Sequence, residues 1–140
     1  MKIDSAIFGE IEINKETIIK FRGGIPGFSE EDYVIIEDEG NNVFFWLQSV
    51  ENPIVSLPLI NAAFFVKDYK PIINSELFNE TKEEDLAIYN IVKVSEDIKN
   101  MTVNLKGPIV IDTKEKKGMQ VISEGNYKAA HKLFKEEGEE

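Results

Sequence analysis

The stretch Ile7-Phe8-Gly9-Glu10-Ile11-Glu12-Ile13 sets Ile7, Gly9, Ile11 and Ile13 in alternation with Phe8, Glu10 and Glu12. A period of two sends successive side chains to opposite faces, so the stretch reads as a half-buried strand and not as a helix. The same texture recurs along the chain. Thr17-Ile18-Ile19-Lys20-Phe21 forms a second short strand, stopped by Gly23-Gly24 and Pro26-Gly27, residues that favour turns and positive φ. Tyr33-Val34-Ile35-Ile36 resumes extended structure. The polar string from Glu37 to Asn42 reads as a hairpin loop that returns into Val43-Phe44-Phe45-Trp46-Leu47.

Asn52-Pro53 then breaks the chain before residues 54–60, where Pro58 removes a ladder donor and predicts an edge strand or a bulge. Residues 86–94 and 101–105 are strand-like. Ile109-Val110-Ile111 pairs with residues 119–122 across the lysine-rich turn Lys114-Glu115-Lys116-Lys117. Two helices are expected: residues 75–85, with Thr81-Lys82-Glu83-Glu84 as a capping box, and residues 128–137, where Ala129, Ala130, Leu133 and Phe134 have helical spacing. Many closely spaced strands with one or two short helices predict a mainly β fold. The expected form is a small antiparallel β-barrel or sandwich-like single domain over residues 1–140, ending in a frayed acidic tail at 135–140.

Composition narrows the function classes. A chain of 140 residues with 42% hydrophobic and 30% charged side chains can bury a core without staples. It contains no cysteine, which removes disulfides and thiolate metal sites and favours an intracellular compartment. With no apolar leader and no bilayer-length apolar stretch, a cytoplasmic location away from the membrane is expected. Twenty-six acidic against sixteen basic residues give a net charge of -10, which repels phosphate backbones and predicts no direct nucleic-acid contact. Such a surface suits a basic protein partner.

Catalytic chemistry finds little to work with. His131 is the only histidine, and its polar flanks place it in solvent, away from any triad. The carboxylate runs Asp38-Glu39 and Glu83-Glu84-Asp85 read as solvated faces, and no EF-hand spacing accompanies them. No catalytic, metal or cofactor residues are assigned. The block Phe21-Arg22-Gly23-Gly24-Ile25-Pro26-Gly27-Phe28 lacks the lysine and hydroxyl of a phosphate-cradling loop. It reads either as a tight turn with Phe28 buried or as a rigid loop offering an apolar edge to a partner. In a strand, Phe45 and Leu47 face opposite to Phe44, Trp46 and Gln48, so one aromatic face is open to an interface role. A second function class, a small-ligand or carbohydrate-binding β-barrel using Phe45, Trp46 and Tyr69, would need a deep apolar cavity.

Several of these blocks, taken in order, resemble the flagellar assembly factor FliW family. They are Phe8-Gly9-Glu10-Ile11-Glu12, Phe21 with Gly24-Ile25-Pro26-Gly27-Phe28, Trp46-Leu47-Gln48-Ser49, Asp68-Tyr69 and Asn90-Ile91-Val92. Met101-Thr102-Val103-Asn104-Leu105, Pro108-Ile109-Val110-Ile111, Lys117-Gly118 and Gln120-Val121 complete the series. The chain departs from the family pattern at Lys106-Gly107 and at Ala62, and it matches poorly after Tyr127. The resemblance implies a small β-barrel-like protein without catalytic activity that binds flagellin and the translational regulator CsrA. Once flagellin is exported, the released protein binds CsrA and relieves its repression of flagellin mRNA translation. On that expectation the partner-contact residues are Phe28, Glu37, Asp38, Glu39, Trp46, Gln48 and Asn104.

Overall fold

Strand pairing begins with a hairpin that stands apart from the main sheet. In the computed structural model, which describes residues 1–37 and 43–134, Lys2–Ser5 (β1) pairs antiparallel with Gly9–Glu12 (β2), Ile3 opposite Ile11. The alternation starting at Ile7 therefore becomes strand only from Gly9. Ile7 and Phe8 lie in the connecting turn, and Gly9 enters the strand at φ 74°, a left-handed conformation that suits glycine.

The remaining strands are Ile19–Lys20 (β3), Asp32–Glu37 (β4), Phe44–Ser49 (β5), Ser56–Ile60 (β6), Leu86–Lys93 (β7), Thr102–Val103 (β8), Ile109–Asp112 (β9), Lys117–Gln120 (β10) and His131–Lys132 (β11). Their sheet runs β11-β8-β7-β6-β5-β4-β3-β10-β9, and β7 also pairs with β9, which closes a seven-strand barrel. β8 pairs with Val92 and Lys93 at the end of β7, and β11 pairs with β8 outside the barrel. Every pairing is antiparallel except β10 with β3, a parallel contact of one bridge, Lys117 with Lys20.

The period of two sorts side chains to the inside and outside of this wall. Inside, Ile19, Phe21, Tyr33, Leu47, Leu59, Ile109 and Ile111 form one cluster, joined by Ile35, Phe45, Tyr89 and Ile91. Phe21 meets Tyr33 edge-on at 5.3 Å and Phe45 meets Tyr89 at 5.1 Å. Gly118 is required by this packing, because a Cβ there would lie 2.5 Å from the Phe21 ring. The barrel interior is thus filled by side chains. Outside, Ile60 and Val92 are covered by Ala62, Tyr69, Val103 and Leu105, and Val110 by Phe78 and Val121. Loops therefore add a second apolar layer around much of the wall, each large side chain contributing about 1.5–3 kcal/mol when fully buried.

The glycine block is a turn. Ile25 and Phe28 exchange backbone hydrogen bonds at 3.0 and 2.7 Å, and Gly24 sits at φ 78° with its missing Cβ 2.2 Å from the Phe28 carbonyl oxygen. Phe28 is half-buried against the interior cluster.

Three expectations are corrected. Residues 75–85 form two short 3-10 turns, Glu76–Phe78 and Glu83–Asp85, in place of a helix. Phe78 is buried against Val110 and Val121, and the Thr81 hydroxyl donates to Asp112 Oδ2 at 2.8 Å instead of capping a helix. The expected helix at 128–137 does not form over its described part, residues 128–134, either. The Lys128 carbonyl accepts from the Leu105 and Lys106 amides, and the chain continues into β11 against β8, so tertiary pairing overrides the alanine propensity. Finally, β6 is an internal strand, not an edge. It keeps Pro58 because its contact with β7 starts only at Leu59, the next residue. The expected tail at 135–140 lies outside the described residues. Among the described residues, no helix is long and apolar enough to cross a membrane.

Candidate functional site

The outward face of β5 carries Phe44, Trp46 and Gln48, and each meets a different fate. Phe44 packs under the outer layer beside Ile60 and Val92. Trp46 stays half-buried. It is flanked in register by Ile36 of β4 and Pro58 of β6, both also half-buried, so the three make an apolar row across adjacent strands. The Phe8 ring approaches Trp46 edge-on at 6.0 Å and 79°. Phe8 is 37% exposed and its neighbour Ile7 50%. The Ala6 amide donates to the Pro53 carbonyl at 2.8 Å, which ties this hairpin turn to the β5–β6 connection and its exposed Ile54.

Gln48 is fully buried and serves as the clamp that holds the hairpin in place. Its Oε1 accepts from the Ser5 hydroxyl at 2.8 Å, and its Nε2 donates to the carbonyls of Ser49, Val55 and Pro53 at 3.1, 3.3 and 3.4 Å. Ser5 Oγ in turn accepts from the Ile7 and Phe8 amides at 3.2 and 3.1 Å. Gln48 is thus closed off from solvent, and through Ser5 it positions Phe8 beside Trp46.

A second buried amide lies on the outer side of β7. Here one stretch of chain pairs with β7 first as β8, Val103 opposite Val92, and then as β9, Ile109 opposite Tyr89, bulging outward in between. Asn104 sits in that bulge, half-buried, with Oδ1 accepting from the Gly107 amide at 2.8 Å. Asn90 Nδ2 donates to the Asn104 carbonyl and to the Tyr69 hydroxyl, each at 2.9 Å, and Tyr69 donates to the Leu105 carbonyl at 2.7 Å. Burial raises the Tyr69 pKa, and the Asn90 contact opposes that rise.

The expected contact residues are thus divided. Trp46 and Gln48 are neighbours on one face, and Glu37 stands exposed at the end of β4 beside Ile36. Tyr89 has its pKa raised by burial first and by the Glu37 charge second. Phe28 and Asn104 belong to the glycine turn and the bulge, away from the Trp46 row in the strand order. Asp38 and Glu39 lie outside the described residues. Sequence reasoning missed Phe8, Ile36, Pro58 and Ser5. The available signal was Phe8 itself, an aromatic residue out of phase with the alternating isoleucines around it.

The aromatics proposed for a small ligand do not converge. Phe45 and Tyr69 line a surface pocket of about 340 Å³ with Asn61 and Tyr89, whereas Trp46 is not part of its lining. Glu83 and Glu84 are exposed on a 3-10 turn, and His131 is half-exposed in β11.

These features define a class: a β-barrel with a filled interior and a loop-built outer layer, presenting an apolar row on three adjacent strands. The comparisons with known proteins specify it further. The FliW protein family profile matches residues 2–133. A flagellar assembly factor FliW of Alkaliphilus metalliredigens is 41% identical over 142 aligned positions, covering 97% of this chain and 88% of the relative. The corresponding factor of Caldicellulosiruptor saccharolyticus is 37% identical over 94% of this chain and 90% of its own length. A crystal structure of the flagellar assembly factor FliW superposes with a TM-score of 0.89 at 35% identity, covering 98% of this chain and 99% of that one. The chain belongs to the FliW family of flagellar assembly factors.

Proposed function

We propose that this protein is a cytoplasmic partner switch that binds flagellin and, when flagellin leaves, binds and antagonises CsrA. The observation that carries the reading is the Ile36-Trp46-Pro58 row with Phe8 across it, an apolar strip on a chain of net charge -10. Half-exposed aromatics held by a rigid wall are the usual anchors of protein interfaces, and flagellin supplies apolar helical surface that is buried once it polymerises. The acidic surface, to which exposed Glu37 at the end of β4 contributes, complements a basic RNA-binding regulator. The protein carries no catalytic role in this reading.

Calorimetry with flagellin and CsrA from the same organism tests both halves. Trp46→Ala is expected to weaken flagellin binding at least about tenfold, and Glu37→Lys to weaken CsrA binding with a reduced salt dependence. Binding of neither protein by the parent chain would end the proposal. Binding of both at once, without competition, would leave two binding functions but remove the switch.

A further inference from the structure

Most neighbouring strands of the barrel meet along ladders, but β10 meets β3 at one bridge, where the Lys20 amide donates to the Lys116 carbonyl at 3.0 Å. Beyond that bridge the two walls part. After Phe21 the chain turns away: the Gly24 amide returns to the Phe21 carbonyl at 2.9 Å, and the Gly23 amide is held by the Glu31 carboxylate at 2.8 Å. An open groove of about 740 Å³ lies between, with Arg22, Gly24 and Pro26 on one side and Gly118, Met119 and Gln120 on the other. The parting is built in. The Gly24 turn is locked by its closeness to the Phe28 carbonyl, and the Phe21 ring packs directly on the Gly118 backbone behind the seam.

The groove-facing backbone of β10 is legible from its ladder. The Val121 amide donates to the Pro108 carbonyl at 2.9 Å, so Lys117, Met119 and Val121 turn their backbone groups toward β9. Gly118 and Gln120 turn theirs into the groove. Past the Lys20 bridge, β3 offers β10 no further register pair, so the Gly118 carbonyl and the Gln120 amide face the groove. An edge of this kind is completed by another extended backbone.

The groove also says what that backbone carries. Lys20, Arg22, Lys116 and Lys117 stand against Glu80, Asp112 and Glu115. Lys20 is already paired with Asp32 at 2.7 Å, and Asp112 accepts from the Thr81 hydroxyl and from the Lys114 and Glu115 amides. The groove is therefore close to neutral on a chain of net charge -10. Its lining also carries apolar side chains open to solvent, Leu77 and Met119. A second copy of the chain would bring a further -10 against this one, so self-pairing is opposed.

We infer that the seam between β3 and β10 takes up an extended, uncharged segment of a partner protein, apolar at alternate positions, as a strand added along residues 118–120. This site is separate from the Trp46 row and does not depend on what that row binds.

The test is a titration of nitrogen-15-labelled protein with a capped peptide of alternating valine and threonine. A length of about six residues spans the edge at ~3.3 Å per residue. The Gly118 and Gln120 amide resonances are expected to shift and Gln120 N–H exchange to slow, while Phe8 and Trp46 stay unmoved. Leu77→Asp, at an exposed side chain, should weaken binding about tenfold. Gln120→Pro, which deletes the donor, should abolish it, with circular dichroism checking that both variants fold. Affinity should change less than about twofold between low and high salt. Shifts confined to other residues, or none at millimolar peptide, overturn the proposal. A steep salt dependence overturns the uncharged occupant, and a dimer in sedimentation that the peptide dissociates makes the second copy the occupant instead.

Discussion

Trp46 and Gln48 stand two residues apart on the same outward face of β5, yet Gln48 is sealed from solvent and Trp46 is half-open. The difference lies above the strand, not within it. Over Gln48 the chain has assembled a hydroxyl and three carbonyls, a full set of partners for a buried amide. Over Trp46 it has placed the Phe8 ring, edge to face. Position in a barrel strand sets which way a side chain points. The second layer decides whether that direction is core or surface, and here it stops at an aromatic residue that needs no hydrogen-bond partner.

The strongest way to break this contrast is to remove the seal. Gln48→Ala leaves the Ser5 hydroxyl without its acceptor inside the protein, and a cost of about 3 kcal/mol is expected in urea unfolding. Amide exchange should accelerate in β1 and β2. If β1 and β2 stayed protected, Gln48 would not be what holds the hairpin down.

Tyr33 sharpens the contrast from the inner side of the same wall. Burial pushes its phenol up to about 12, with Glu30 and Glu51 adding to the rise, and among the described residues its hydroxyl has no hydrogen-bond partner. The unfolded phenol ionises near 10. The fold holds the neutral form, so stability should be complete below pH 10 and fall by about 2–3 kcal/mol as pH climbs toward 12. Tyr33→Phe should flatten that alkaline slope while changing neutral-pH stability by no more than ~0.5 kcal/mol. An unchanged slope would place the alkaline transition elsewhere.

Smaller effects are expected nearer the surface. Ser5→Ala removes one partner of Gln48 and the acceptor for two turn amides, about 1–2 kcal/mol by denaturant titration. Trp46→Ala should cost about 1–2 kcal/mol of stability, because part of the residue already faces solvent. A loss for Trp46→Ala as large as that for Gln48→Ala would mean that the row is core after all.

The strands were legible because alternation is local. Residues 33–36 and 44–47, the return through 56–60 and the turn before β10 follow from spacing and turn residues, although the edge position read from Pro58 does not. The misreadings came where distant contacts outvote neighbours. Phe78 is drawn into a cluster with Val110 and Val121, which leaves room for two 3-10 turns and no helix. Lys128 is captured by the amides of Leu105 and Lys106 before Ala129 and Ala130 can start a helix. For the candidate site, the aromatic face of β5 was visible in the sequence. The clamp was not, because Ser5 and Gln48 are separated by 43 residues and nothing local marks their meeting.

The single bridge between β3 and β10 also bears on how this wall comes apart. β4 and β5 are joined by five register pairs, and β5 and β6 by five more, whereas the ring is completed at the seam by one. A ring so unevenly fastened has a preferred place to yield. Thermal breathing should begin at residues 19–22 and travel outward from them, with β5 the last strand to loosen. The barrel would then behave less as a sealed tube than as a rolled sheet with a catch, able to unfasten one rung while its aromatic interior stays packed.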